Sequence, residues 1–204
     1  MKYLDSSIDG YLRDLAARKP APGGGSAAAL SASIGVALML MSANYTKGNP
    51  KYKASDAAMA DIITKASVLE DALKVLIDKD VQAYELLVKL KTDAPQNNKE
   101  AIGKAYKEAA EVPFQICRMA AEALYLCKCL AEKGNKNLIS DTATAAIMLE
   151  GAFFSAKYNV YLNLECVDDI VYIGNMHKVL SPLEEELPKL KEDILEICED
   201  AIGE

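Results

Sequence analysis

Two features of this 204-residue chain have residue types and spacing that could do chemistry. The first is Asp80. An apolar stripe at Ile62, Ala66, Leu69, Leu73, Leu76, Ala83, Leu87 and Leu90 alternates steps of four and three, as a buried helix seam requires. Position 80 falls in that series. Burying a carboxylate there costs several kcal/mol unless it is paired, or neutralised through a raised pKa. A carboxylate tuned toward neutrality takes up and returns protons well. The competing reading is a structural ion pair or cap. Asp78 falls with Asp71, Lys74 and Glu85 on the polar side, where solvent is expected to cover it.

The second feature is Pro20-Ala21-Pro22-Gly23-Gly24-Gly25-Ser26, which runs directly into an uncharged segment ending at Thr46. Glycines at a helix start leave unpaired N–H groups at the positive end of the helix dipole, with no side chains in the way. Such a start receives a phosphate, a carboxylate or a planar ring edge. A plain flexible linker would also be glycine-rich, but the two prolines stiffen one side.

Other chemistries find little support. A di-iron bundle needs Glu-x-x-His pairs on two helices, and the chain has one histidine, His177, in an expected solvated loop. Zinc would need Cys/His clusters, so no metal is expected. The glycines lack the Gly-Lys-Ser/Thr continuation of a phosphate-binding loop. A net charge of −7 argues against nucleic acid as a partner. Five irregularly placed cysteines suit a reducing compartment, and Cys127 and Cys129 read as small buried hydrophobes.

The elements that must position these residues are all helical. Ser6 or Ser7 caps a short helix with Ile8, Tyr11, Leu12 and Leu15 on one face. A central helix rich in Ala, Ser and Gly begins at Gly25 or Ser26 and ends near Thr46. It is long enough to span a membrane, but charged amphipathic helices surround it and its small residues suit close packing, so no membrane is expected. A basic turn carrying Lys47, Lys51 and Lys53 follows, then a long helix over 55–91. Residues 92–98, with Pro95, read as a polar loop. Helix resumes over 99–133, with a kink or restart at Pro113. Ser140 or Asp141 caps a helix reaching about 169. Ser181-Pro182-Leu183-Glu184 reads as the start of a last helix. The expectation is an all-α, single-domain bundle of long helices over 1–204, built around a small-residue central helix.

With those two features in place, the chain resembles the cyclodeaminase domain of the formiminotransferase-cyclodeaminase family. Stand-alone bacterial members of that family include methenyltetrahydrofolate cyclohydrolases. The likeness runs nearly end to end. It covers Arg18 through Ser26, Asn44-Tyr45-Thr46, Asp80-Val81-Gln82-Ala83-Tyr84, Val112-Pro113, Ser140-Asp141, Asn159-Val160 and Asn163-Leu164.

The resemblance implies a dimeric, cytoplasmic enzyme of folate one-carbon metabolism, with a tetrahydrofolate derivative as substrate. It implies Asp80 as the catalytic group and Pro22, Gly23, Gly24, Gly25, Ser26, Asp141 and Asn163 as folate contacts. Methenyltetrahydrofolate cyclohydrolase is slightly favoured, because the chain carries no formiminotransferase portion. Formiminotetrahydrofolate cyclodeaminase is the alternative, and a non-catalytic helical scaffold the remoter one. Lys47, Lys51 and Lys53 are expected to attract the folate glutamate tail, or else to form a plain solvated turn.

Overall fold

A computed structural model describes residues 2–93 and 99–203. Among these residues six helices make up the bundle: α1 (Ile8–Ala16), α2 (Gly24–Thr46), α3 (Asp56–Asp93), α4 (Lys99–Lys133), α5 (Ile139–Leu164) and α6 (Ile170–Gly203). Among the described residues there is no strand. Short 3-10 turns at Tyr3–Asp5, Pro50–Ser55 and Lys136–Leu138 join or precede them. The expected polar loop over 92–98 is helical at Thr92 and Asp93, and its remainder lies outside the described residues.

The centre is α2, which packs against α3, α4 and α5. Ala29, Ala32, Val36, Met39 and Ala43 are fully buried. The small residues act as expected, by letting helices approach: a Cβ on Gly35 would lie 2.9 Å from Leu149 Cγ and 3.3 Å from Ala145 O on α5. By length and composition α2 could cross a membrane, but here its buried face is the middle of the core.

Three boundaries differ from expectation, each for a physical reason. First, α4 passes through Pro113 without a break. The missing N–H leaves the Ala109 carbonyl without its helix donor, and Asn163 Nδ2 on α5 donates to it at 2.9 Å. Second, the final helix starts at Ile170 instead of Ser181, and Pro182, Pro188 and His177 all lie inside it. An interior proline costs about 3 kcal/mol. Met176 and Leu180, buried about three and two turns before Leu187 on the seam that continues to Ile194, offset that at about 1.5–3 kcal/mol each. Third, α5 stops at Leu164 and not near 169. Asp169 serves the next helix instead, where its side chain accepts from Tyr172 N at 3.0 Å.

Ser7 caps α1, accepting from Gly10 N at 3.0 Å. Only Tyr11 of its apolar face is buried, while Ile8 and Leu12 are exposed. The helix lies at the edge of the bundle and inserts one ring.

Candidate active site

The start of α2 and the middle of α3 meet at Asp80. Asp80 Oδ2 accepts from Ser26 N in the first turn of α2 at 2.8 Å. A Cβ on Gly25 would lie 2.6 Å from Asp80 Cγ and overlap Oδ1, so the carboxylate occupies space that only glycine leaves. Behind this contact, Ser26 Oγ accepts from Tyr11 OH at 3.2 Å, and both side chains are buried. Burial raises the Asp80 pKa above the ordinary aspartate value, and the Ser26 N–H opposes this only in part. The helix start therefore grips the carboxylate while burial holds its pKa above the ordinary value.

A cavity of about 260 Å³ opens beside Asp80. Pro20, Ala21 and the three glycines form one wall, which meets Asn159 of α5 at Gly24; Ala109 of α4 and Leu162 and Asn163 of α5 line it further. Ala83 and Tyr84, one turn after Asp80, complete it. The two features read separately from the sequence thus form one site. Pro22 is buried beside the glycine wall, with a cis Ala21–Pro22 peptide. A larger groove of about 840 Å³ lies between α3, α4 and α6, floored by Leu69, Met119 and Leu183, and none of the expected site residues lines it. Among the described residues, no three His, Cys, Asp or Glu side chains come together as a metal site would need.

Asp78 corrects the sequence reading. It is buried, 8% exposed, and accepts from Tyr3 N at 2.6 Å. The N-terminal turn Tyr3–Asp5 lies on this part of α3 and covers a face that periodicity assigns to solvent. Asp80 nevertheless remains the aspartate that lines the cavity.

Asp141, Lys47, Lys51 and Lys53 lie elsewhere in the chain. Asp141 is in the first turn of α5 and Asn163 in its last, about 33 Å apart at 1.5 Å per residue. Lys47 directly follows α2, whose other end holds Ser26. All three lysines are exposed. Tyr52 OH accepts from Lys136 N just before α5 begins, so within one chain all four lie at the end of the bundle away from Ser26.

Asn159 was overlooked as a site residue, although Asn159 and Asn163 share the i, i+4 spacing that puts them on one helix face. Tyr84 is the same spacing from Asp80.

The profile of the family described as Formiminotransferase-cyclodeaminase matches residues 7–181. The chain belongs to that family. It is 34% identical to the methenyltetrahydrofolate cyclohydrolase of Methylorubrum extorquens, over 98% of this chain and 99% of that protein. It is 31% identical to the formimidoyltransferase-cyclodeaminase of Mus musculus, over 90% of this chain but only 35% of that longer protein. The crystal structure of a formiminotetrahydrofolate cyclodeaminase from Thermotoga maritima superposes with a TM-score of 0.89 at 29% identity, covering 97% of this chain and 98% of that one. That likeness bears out the expected all-helical architecture.

Proposed function

We propose that this family member is a folate-dependent enzyme, one domain over 1–204, that acts on the carbon bridging N5 and N10 of tetrahydrofolate, with methenyltetrahydrofolate as substrate and Asp80 as the proton-transfer group. The observation that carries this is a carboxylate with a raised pKa, gripped by a glycine helix start at the edge of a small cavity. In hydrolysis, water attacks the methenyl carbon and gives a proton to Asp80 as the C–O bond forms. Asp80 returns that proton to N5 as the N5–C bond breaks, and the carbinol proton leaves to solvent, giving 10-formyltetrahydrofolate. A carboxylate whose pKa sits above the ordinary range serves both transfers better than a fixed anion. Full-length similarity to a cyclohydrolase supports this substrate.

The close structural likeness to a protein described as a cyclodeaminase supports a second reading. There N10 attacks the carbon of the protonated formimino group and Asp80 takes the N10 proton; Asp80 returns it to the amino nitrogen as the C–N bond breaks, so that ammonia leaves and the methenyl cation forms. One incubation separates the two: purified protein with methenyl- and formimino-tetrahydrofolate in turn, following methenyl absorbance against buffer. Faster loss of the methenyl signal supports hydrolysis, and its appearance from the formimino substrate supports deamination. No change in either contradicts both readings and favours a scaffold.

The same reading makes the enzyme a homodimer in a reducing, cytoplasmic compartment. The outer faces of α2 and α5 carry Ile34, Tyr45, Ile147, Tyr158 and Leu162, all at least 43% exposed, and α2 has no charged residue. A second copy packed on this face and running the opposite way would bring its Lys47, Lys51, Lys53 and Asp141 toward the first copy's Asp80. The folate glutamate tail would then meet cations from the second copy.

A further inference from the structure

Pro113 has a consequence for the site. The Ala109 carbonyl that it leaves without a helix donor takes one amide hydrogen of Asn163, at 2.9 Å. The Asn159 carbonyl takes the other, also at 2.9 Å. Both Asn163 donors are therefore committed inside the protein, and its side-chain oxygen is the polar atom left for a ligand. Asn159 is oriented by one such bond: its Nδ2 donates to Ser155 O at 2.9 Å and stands against Gly24, 3.2 Å from where a Cβ would be. Both residues line the cavity beside Asp80. Among the described residues nothing donates to either oxygen, and no buried side-chain oxygen or nitrogen lacks a partner. Both oxygens therefore open to the cavity and are not sealed.

We infer that Asn159 Oδ1 and Asn163 Oδ1 form the specificity element of this site, accepting hydrogen bonds from adjacent N–H donors of the substrate ring. The glycine run meets the Asn159 amide at Gly24, so the helix start and the two acceptors adjoin along one edge of the cavity, where a flat heterocycle can present its N–H edge. The inference rests on the folate reading, which supplies the ring: a 2-amino-4-oxopyrimidine edge offers its 2-amino group and N3–H side by side. A cavity of about 260 Å³ lies below the usual range for a whole drug-sized ligand. It suits the ring system, with the remainder leaving past Tyr84 and Leu162. Sites built to bond a substrate N–H reject analogues that lack it, because their own acceptors are left unpaired.

The test compares methenyltetrahydrofolate with its 2-desamino-2-methyl analogue on the wild type, Asn159→Ala and Asn163→Ala. The wild type should show a KM roughly 10- to 100-fold higher for the analogue. Each variant should raise the KM of the parent about tenfold while changing that of the analogue little, so the discrimination collapses. The change should fall on KM more than on kcat, since Asp80 stays in place. Asn163→Ala also removes the tie to Ala109 and could fail to fold; Asn159 is tethered only to its own helix, and Asn159→Ala then decides alone. Wild-type turnover of both compounds with equal KM, or a variant that discriminates as well as wild type, overturns the inference and leaves the folate reading standing. Wild-type turnover of neither compound overturns the cyclohydrolase reading, and the inference with it.

Discussion

The carboxylate of Asp80 fills the space that a side chain on Gly25 would need, while the next residue, Ser26, donates its backbone N–H to that carboxylate at 2.8 Å. One peptide segment therefore both makes room for the acid and fixes its direction. Proton transfer depends on such placement, since a misplacement of about 1 Å can cost roughly 100-fold in rate.

Gly25→Ala should lower kcat by roughly 100-fold or more, because the new methyl forces Asp80 aside. Gly24→Ala should do less, as its Cβ would crowd only the Asn159 amide at 3.2 Å. Gly174→Ala, with nothing within 4 Å, is the control and should match wild type. Steady-state kinetics of the three variants check the order. Equal rates for Gly25→Ala and wild type would separate Asp80 from the reaction.

The pH dependence follows from the raised Asp80 pKa. The base form is needed to accept a proton from the attacker, so kcat/KM should fall toward acid with a midpoint above the ordinary aspartate value. The stability sign is the reverse of the usual carboxylate case. The folded state holds the Asp80 proton more tightly than the unfolded state, so it binds more protons between the two pKa values. Stability contributed by Asp80 is thus lost as pH rises through that window. Asp80→Asn should therefore leave Tm unchanged in acid and equal or higher at neutral pH, as thermal melts across pH would report.

Asp78 is the structural member of the pair. Its bond to Tyr3 N ties the N-terminal turn to α3. Asp78→Ala leaves that N–H without its partner and should cost about 1–3 kcal/mol of stability, with kcat within a few-fold of wild type. Urea unfolding measures the first and turnover the second. A large kcat loss with unchanged stability would exchange the roles assigned to the two aspartates.

The long helices and the small-residue centre were legible, because each depends on local periodicity and residue size, whereas the meeting of Asp80 with the glycine run, 54 positions away, is tertiary and was implied only by the family resemblance. Asp78 was misread because its cover comes from Tyr3, 75 positions away, and helical periodicity carries no trace of a distant segment. Pro113 and Pro182 suggested helix breaks because a proline's local cost is visible, whereas the Asn163 amide and the Met176–Leu180 burial that offset it are tertiary. Asn159 escaped notice for a related reason. An asparagine on an apolar helix becomes informative only once its amide is seen tied to Ser155 O and set against Gly24 beside the cavity.

The dimer and the lysine cluster are tested together. Light scattering at micromolar concentration should give twice the 22.0 kDa of one chain, and Tyr158→Glu on the apolar face should shift it to monomer. In the dimer, replacing Lys47, Lys51 and Lys53 with Gln should raise KM for polyglutamylated substrate at low salt, with the effect fading as salt screens it. A monomeric wild type, or KM values that ignore both tail length and the lysines, would contradict the shared site.

The most direct measurement is single-turnover hydrolysis of methenyltetrahydrofolate by wild type and Asp80→Asn, with binding measured in parallel. Asparagine keeps the shape and can still accept from Ser26 N, but it cannot carry a proton between water and N5. The account predicts a rate lower by roughly 10²–10⁴-fold, with substrate still bound and the fold intact. Full turnover by Asp80→Asn would contradict it.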